Sequence, residues 1–312
     1  MSASVKRVSH RPLLIIITGP TASGKTTLAV GLAEFLGTEI VSADSRQIYR
    51  DIPIGTAAPS ADELARVRHH LVGQLGLDEY YSAVRFEEDA LRILDGIWTR
   101  KSVALVCGGS MMYIDALTKG IDEMPTVSDT TRRYVLDMLD AHGLEGVLAQ
   151  LRICDPDYYA QVDKANTRRV VHALEVSLQA GVPYSSLRTG AVRERPFDVV
   201  KFAIDWPREE LFARINRRVD LMIDEGLEDE ARRAFAKGNF NSLNTVGFKE
   251  MKMLIDGSAD LEFVRARIAK NTRVYAKKQL TWLRRDSDVI WLDPANAMPT
   301  AMEVIRNAVS AR

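Results

Sequence analysis

Gly19-Pro20-Thr21-Ala22-Ser23-Gly24-Lys25-Thr26 places two glycines, a lysine and a hydroxyl at the G-x-x-x-x-G-K-[ST] spacing of a phosphate loop. In such a loop, successive backbone N–H groups end at a helix N-terminus and face phosphate oxygens. Lys25 adds a point charge there, and the Thr26 hydroxyl is the expected ligand for Mg²⁺. The chemical group handled is therefore a di- or triphosphate. The loop does not say which one, and ATP, GTP or another pyrophosphate ester would fit it.

A second group with chemistry is Asp44, in Ser42-Ala43-Asp44-Ser45-Arg46-Gln47-Ile48-Tyr49, and a third is Gly108-Gly109-Ser110. ATPases and GTPases of this class hold Mg²⁺ and position water with a second acidic residue at a strand end. Here the strand Val103 to Cys107 runs into Gly-Gly-Ser, which disfavours a hydrolysis-driven motor or switch. Two reactions suit a phosphate loop with one carboxylate opposite. In a small-molecule kinase the carboxylate accepts a hydroxyl proton as the γ-phosphoryl moves. In the other reaction the loop holds pyrophosphate as a leaving group, and the carboxylate assists a nucleophile attacking the carbon that bore it. The pattern alone leaves both open.

The elements that must position these residues are legible as periodicities. Leu13 to Ile17 is a short, continuously apolar run of the kind buried in a parallel sheet, followed by a helix from Thr26 to Leu36 stopped by Gly37. Further strands are expected at Glu39 to Ser42, Val103 to Cys107, Val199 to Ile204 and Val289 to Leu292. Between the second and third, Phe86, Ala90, Leu91, Leu94 and Ile97 fall on one helical face. The expected fold is α/β: a P-loop NTPase-like parallel sheet with helices on both faces, binding ligands beyond the carboxyl ends of its strands. Strand signals vanish from about 120 to 196, where Thr130 to His142, Leu144 to Leu151 and Arg168 to Gln179 look helical. The expected division is a core domain of residues 10–119 and 197–312 with a helical insertion domain at 120–196.

Composition bounds the class. Apolar residues at 46% and charged residues at 27% are those of a soluble globular chain, without an apolar run near the roughly 20 residues that span a bilayer. No signal-peptide pattern precedes the first strand, so a cytoplasmic protein with no membrane partner is expected. Cys107 and Cys154 show neither C-x-x-C nor zinc spacing and read as buried free thiols. The 42 basic and 42 acidic residues balance, yet eight Lys or Arg and no Asp or Glu lie between Phe263 and Arg285. That segment, with Lys277 and Lys278 near its end, could neutralise several phosphates of a nucleic acid, or be a solvated helix face.

Several further blocks follow in order: Asp44 to Tyr49, Ile54-Gly55-Thr56-Ala57, His69-His70-Leu71, Gly108-Gly109-Ser110 with Tyr113, Arg168-Arg169 before Ala173-Leu174-Glu175, Gly247-Phe248-Lys249-Glu250, and Gln279-Leu280-Thr281-Trp282-Leu283. Together with the phosphate loop they resemble the motifs of bacterial tRNA dimethylallyltransferases, the IPP transferase family, across residues 13 to 292. Ser110 stands where the family usually has Thr, Ala58 where a Lys is usual, and His172 where an Arg is common.

The resemblance implies transfer of a dimethylallyl group from dimethylallyl diphosphate to N6 of the adenosine 3′ of the anticodon, position 37, in tRNAs reading codons that begin with U. It implies that residues 19 to 26 and Arg218 hold the diphosphate, with Mg²⁺ on Thr26, and that Asp44, Thr26, Ser110 and Arg218 are catalytic. Asp44, Ser45, Arg46, Gln47, Arg168, Arg169, His172, Lys277 and Lys278 are the expected tRNA contacts, with the insertion clasping the anticodon stem-loop. Tyr49 and Tyr113 read as core or pocket-wall residues. A monomer is expected. The alternatives are an isopentenyltransferase acting on free adenine nucleotide and, more distantly, an ATP-dependent metabolite kinase; the basic segment and long insertion favour RNA, because neither is needed to hold a mononucleotide.

Overall fold

The computed structural model describes residues 11–310. Its centre is β1, Leu13–Thr18, every residue of which is buried. Period-two alternation sends Leu14 and Ile16 to one face, and Leu13, Ile15 and Ile17 to the other, so one strand feeds two hydrophobic clusters. On the first face the helix Ala83–Trp98 buries Phe86, Ala90, Leu94 and Ile97. On the second the helices Lys25–Leu36 and Ala297–Ser310 bury Leu28, Leu32, Ala301 and Ile305.

The remaining strands are β2, Ile40–Ser42; β3, His69–His70; β4, Val103–Cys107; β5, Asp198–Ile204; and β6, Val289–Leu292. All pair in parallel in the order β3-β2-β4-β1-β5-β6. The two-residue β3 was not legible in the sequence, because two histidines carry no strand periodicity. It is held by register with Ile40 and Val41, and by the His70 ring at 2.7 Å from the Glu39 carboxylate.

The chain divides into two compact units, one formed by the described residues up to Thr118 together with those from Glu194 onward, the other by Lys119–Arg193. The second unit is helical: Asp129–Cys154, broken at Gly143 with φ 65°, then Pro156–Gln161 and Thr167–Ala180. Val135, Val147, Leu151, Val170 and Leu174 make its own core. Its buried Asp155 accepts from the N–H groups of Tyr158 at 2.9 Å and Ser185 at 2.6 Å, tying two short helices together. Among the described residues no helix is long and apolar enough to cross a membrane. Both cysteines are free, as expected, and each lies partly buried at an element's end against a hydrophobic core, so the expectation of buried thiols holds only in part.

Where β4 ends, the chain passes so close to β2 that a Cβ on Gly108 would lie 2.2 Å from the Ala43 carbonyl oxygen. Backbone cannot swing aside as a side chain can. Gly108→Ala should therefore destabilise the fold by about 3 kcal/mol, read as a drop in the thermal midpoint. Gly96→Ala, in a helix where a Cβ meets nothing within 4 Å, should raise stability by about 0.5–1 kcal/mol.

Candidate active site at the strand ends

The phosphate loop joins β1 to the helix Lys25–Leu36. Gly24 sits at its turn with φ 91°, and Ala22 is left-handed with φ 63°, an arrangement that costs energy and is held by its surroundings. Trp206 and Arg214 grip the loop from one side. Trp206 Nε1 donates to the Ser23 carbonyl at 2.8 Å, and Arg214 Nε to the Ala22 carbonyl at 2.8 Å. The Arg214 guanidinium lies 4.3 Å over the Trp206 ring, so the two hold each other. Among the described residues, the N–H groups of Gly24, Lys25 and Thr26 make no hydrogen bond, as first-turn donors of a helix do until a cap or ligand meets them. The buried Ser23 hydroxyl likewise has no partner. Unspent donors converging on one turn suit an anionic, oxygen-rich ligand. Lys25 Nζ rests on the Pro20 carbonyl at 2.9 Å. Burial, aided by the nearby Arg218 charge and opposed by Cys107 and Asp44, lowers its pKa to about 8.

Asp44 follows β2 on the same edge. Its Oδ1 accepts from the N–H groups of Arg46 at 2.9 Å and Gln47 at 3.4 Å, forming a side-chain turn. Its Oδ2 has no hydrogen-bond partner among the described residues. The turn is braced by Ser110, whose hydroxyl accepts from the Ser45 N–H at 2.9 Å while its own N–H donates to the Ala43 carbonyl at 3.1 Å. Ser110 thus aims Asp44 in this structure.

On the helix Arg208–Asp224, Arg218 lies one turn beyond Arg214 and on the same face, whereas Arg217 is exposed. Of these two adjacent arginines, Arg218 is the one turned inward. Burial lowers its pKa, against the opposing charges of Asp44 and Glu225. Asp44 also acts on the Tyr113 and Tyr275 hydroxyls, whose pKa values burial raises first, that of Tyr275 to about 12. Cys107, pushed up to about 12 by burial, stays a thiol beside them. The carboxylate therefore interacts electrostatically with two cations, a thiol and two phenols at this edge, Tyr275 from an exposed position. Tyr275, Trp206 and Arg214 had no functional signal in the sequence, since each falls within an ordinary helix or loop pattern, and Gln279 stood only as part of a block carrying the resemblance, with no role of its own.

Other sequence candidates have different surroundings. The Gln47 amide is spent inside the protein: Oε1 accepts from Ser42 Oγ at 3.1 Å, and Nε2 donates to the Ala57 carbonyl at 2.9 Å. Arg46 Nη1 donates to the Asn241 and Ser242 carbonyls, each at 3.3 Å. Both carboxylate oxygens of Glu230 accept from the Ile54 and Gly55 N–H groups at 2.8 Å, and a Cβ on Gly55 would strike Phe248 at 2.4 Å. Two of the ordered blocks, Ile54 to Ala57 and Gly247 to Glu250, thus meet as scaffold behind the Asp44 turn. Lys277 and Lys278 are exposed on the helix Leu261–Leu283, while Arg265 is paired with Asp220. In the second unit Arg168, Arg169 and His172 lie exposed on Thr167–Ala180, with the His172 ring edge-on to Tyr184 at 5.8 Å.

Among the described residues no group of three or more His, Cys, Asp or Glu could hold a metal. The donors present are the Thr26 hydroxyl and the Asp44 carboxylate, hard oxygens that suit Mg²⁺ carried in on a diphosphate, since that ion keeps waters and uses few protein ligands. The residues fit the ion in that sense.

The model of the family described as IPP transferase matches residues 47–286. The tRNA dimethylallyltransferase 1 of Bacteroides thetaiotaomicron is 50% identical over 283 residues, 91% of this chain and 92% of that one. The tRNA dimethylallyltransferase of Cytophaga hutchinsonii is 41% identical over 281 residues, 90% and 92% of the two chains. Among solved structures, the tRNA isopentenylpyrophosphate transferase of Bacillus halodurans superposes with a TM-score of 0.70 at 32% identity, covering 96% of each chain. A eukaryotic dimethylallyltransferase acting on tRNA superposes at 0.82 with 26% identity, covering 96% of this chain and 80% of that one.

Lys25 gives the site a pH signature. An anion beside it raises its pKa above the free value of about 8, so binding takes up a proton once that value is passed. Affinity for inorganic diphosphate, measured calorimetrically, should be full below pH 8 and fall by up to about tenfold per pH unit above it. Lys25→Arg, charged throughout, should lack this limb. The same limb in both proteins would assign it to the ligand's own ionisation.

Proposed function

The chain belongs to the IPP transferase family, and we propose that it is a tRNA dimethylallyltransferase, moving the dimethylallyl group of dimethylallyl diphosphate to N6 of the adenosine 3′ of the anticodon. The product is N6-isopentenyladenosine at position 37 of tRNAs reading codons that begin with U. The observation that carries this reading is a carboxylate whose Oδ2 has no hydrogen-bond partner among the described residues, beside a phosphate loop with unspent N–H donors, with Gly108-Gly109-Ser110 rather than an acidic residue following β4.

The diphosphate lies along the Gly24, Lys25 and Thr26 N–H groups, with the Ser23 hydroxyl, Lys25 and Arg218 as further donors. As the allylic C–O bond breaks, its electron pair moves to the leaving oxygen, and these groups meet the charge where it grows. Mg²⁺, held with the diphosphate by Thr26, would supply Lewis-acid stabilisation of the same oxygens. The adenine N6 lone pair is delocalised, so the amine is a weak nucleophile that becomes acidic only as the new C–N bond forms. Asp44 Oδ2 then takes its proton while Oδ1 stays anchored. Because N6 is buried in a stacked loop, the base must leave its stack to reach the carboxylate. Lys277 and Lys278 are suited to the RNA backbone, and Arg168, Arg169 and His172 offer the second unit's basic surface for the same task.

Incubation with labelled dimethylallyl diphosphate and either tRNA or AMP separates the readings: label is expected on tRNA, and label on AMP alone would overturn the proposal. Asp44→Ala should lower turnover by roughly 10²- to 10⁴-fold with tRNA affinity nearly intact. A collapse of affinity would make Asp44 a binding residue instead. Replacing Lys277 and Lys278 with Ala should weaken tRNA binding and flatten its salt dependence by about one unit of slope per lost phosphate contact.

A further inference from the structure

Gln279 lies in the basic helix Leu261–Leu283, two residues beyond Lys277, yet it is 2% exposed. Its side-chain amide is used at both ends. Oε1 accepts from the Thr21 N–H of the phosphate loop at 3.0 Å, and Nε2 donates to the Gly109 carbonyl at 2.9 Å. A Cβ on Gly109 would meet Nε2 at 2.4 Å and the Gly19 carbonyl at 3.3 Å, so the turn after β4 presses against both the amide and the loop. One helical turn on, Trp282 Nε1 donates to Asp115 Oδ2 at 2.9 Å, fixing the same face of the helix to the helix Met111–Lys119.

We propose that Gln279 is a positioning residue for prenyl transfer: its amide locks the phosphate loop to the Gly108–Ser110 turn and so sets where the donor's diphosphate sits relative to Asp44. The bond to Thr21 takes the loop N–H that precedes the anion-facing ones, leaving those of Gly24, Lys25 and Thr26 for the ligand. The bond to Gly109 reaches the turn whose next residue, Ser110, holds the Asp44 segment through the Ser45 N–H. A single side chain thus spans the leaving-group and proton-accepting halves of the site. Its amide is suited to this because it offers one acceptor and one donor in a fixed plane; a methionine offers neither polarity with the required geometry, and a carboxylate offers only acceptors unless protonated.

The proposal rests on the loop holding the donor's diphosphate, and the test separates the two ideas. Binding of inorganic diphosphate with Mg²⁺ and of tRNA is measured for the wild type, Gln279→Met and Gln279→Glu, alongside kcat and KM. Gln279→Met, near in volume, should weaken diphosphate binding about tenfold and raise the donor KM in proportion, with tRNA affinity within twofold of wild type. Gln279→Glu should behave likewise at neutral pH and regain affinity relative to wild type as pH falls, because burial raises the carboxyl pKa and the protonated acid restores a donor toward Gly109. That pH-dependent rescue is a readout that loss of packing would not give, and it stands even if Gln279→Met fails to fold. Wild-type diphosphate affinity in both variants overturns the positioning role alone. A wild-type protein that does not bind diphosphate overturns the donor reading and the role with it.

Discussion

The close parallel pairing of β1, β2 and β4 is the constraint on which the site depends. Three strands must end side by side, and the chain after each must turn away within a few ångströms of its neighbours. Only glycine fits where the turn after β4 passes the Ala43 carbonyl. That crowding brings the phosphate loop, Ser110 and Asp44 onto one edge without any of them lying near another in the chain. It also leaves backbone donors at the start of the helix Lys25–Leu36 that no strand partner can satisfy, and such donors suit an anion.

Electrostatics follows from the same geometry. Lys25 and Arg218 are cations brought out of water beside one carboxylate, and burial lowers the pKa of each. Such charges are costly in the free protein and well placed for a diphosphate, which replaces the lost hydration. The Cys107 thiol and the Tyr275 hydroxyl are driven the other way, each raised to about 12. These groups suit the edge to negative charge, and the Asp44 carboxylate there keeps Oδ2 without a hydrogen-bond partner among the described residues. Outside it, Trp206, Arg214 and Gln279 spend their hydrogen bonds on the loop's own backbone, which keeps a left-handed Ala22 in place.

The phosphate loop, Asp44 and the strands β1, β2, β4, β5 and β6 were readable because each rests on local order: fixed spacing, continuous apolarity, or a residue type that stops an element. The break at Gly143 was readable for the same reason, as two helical patterns separated by a glycine. The strand β3 was not, since its two residues gain their conformation only from β2. Gln47 shows the converse case. Beside Asp44 in sequence it looks like an RNA contact, but its amide reaches Ser42 and Ala57, five and ten residues away, a choice made by how the chain folds back around the Asp44 turn.

The sequence by itself determined the chemistry available: a diphosphate grip, one carboxylate, a basic helix and an inserted helical unit, all carried by residue type and spacing. Tertiary structure decided which of those residues do which work. Arg218 rather than Arg217 faces Asp44, Ser110 aims the carboxylate's segment, and a glutamine in the basic helix reaches inward to the phosphate loop. The physical reason is range. Spacing fixes a residue's face on its own helix or strand, whereas hydrogen bonds such as that from Thr21 to Gln279, 258 positions apart, exist only once the sheet has closed the distance between them.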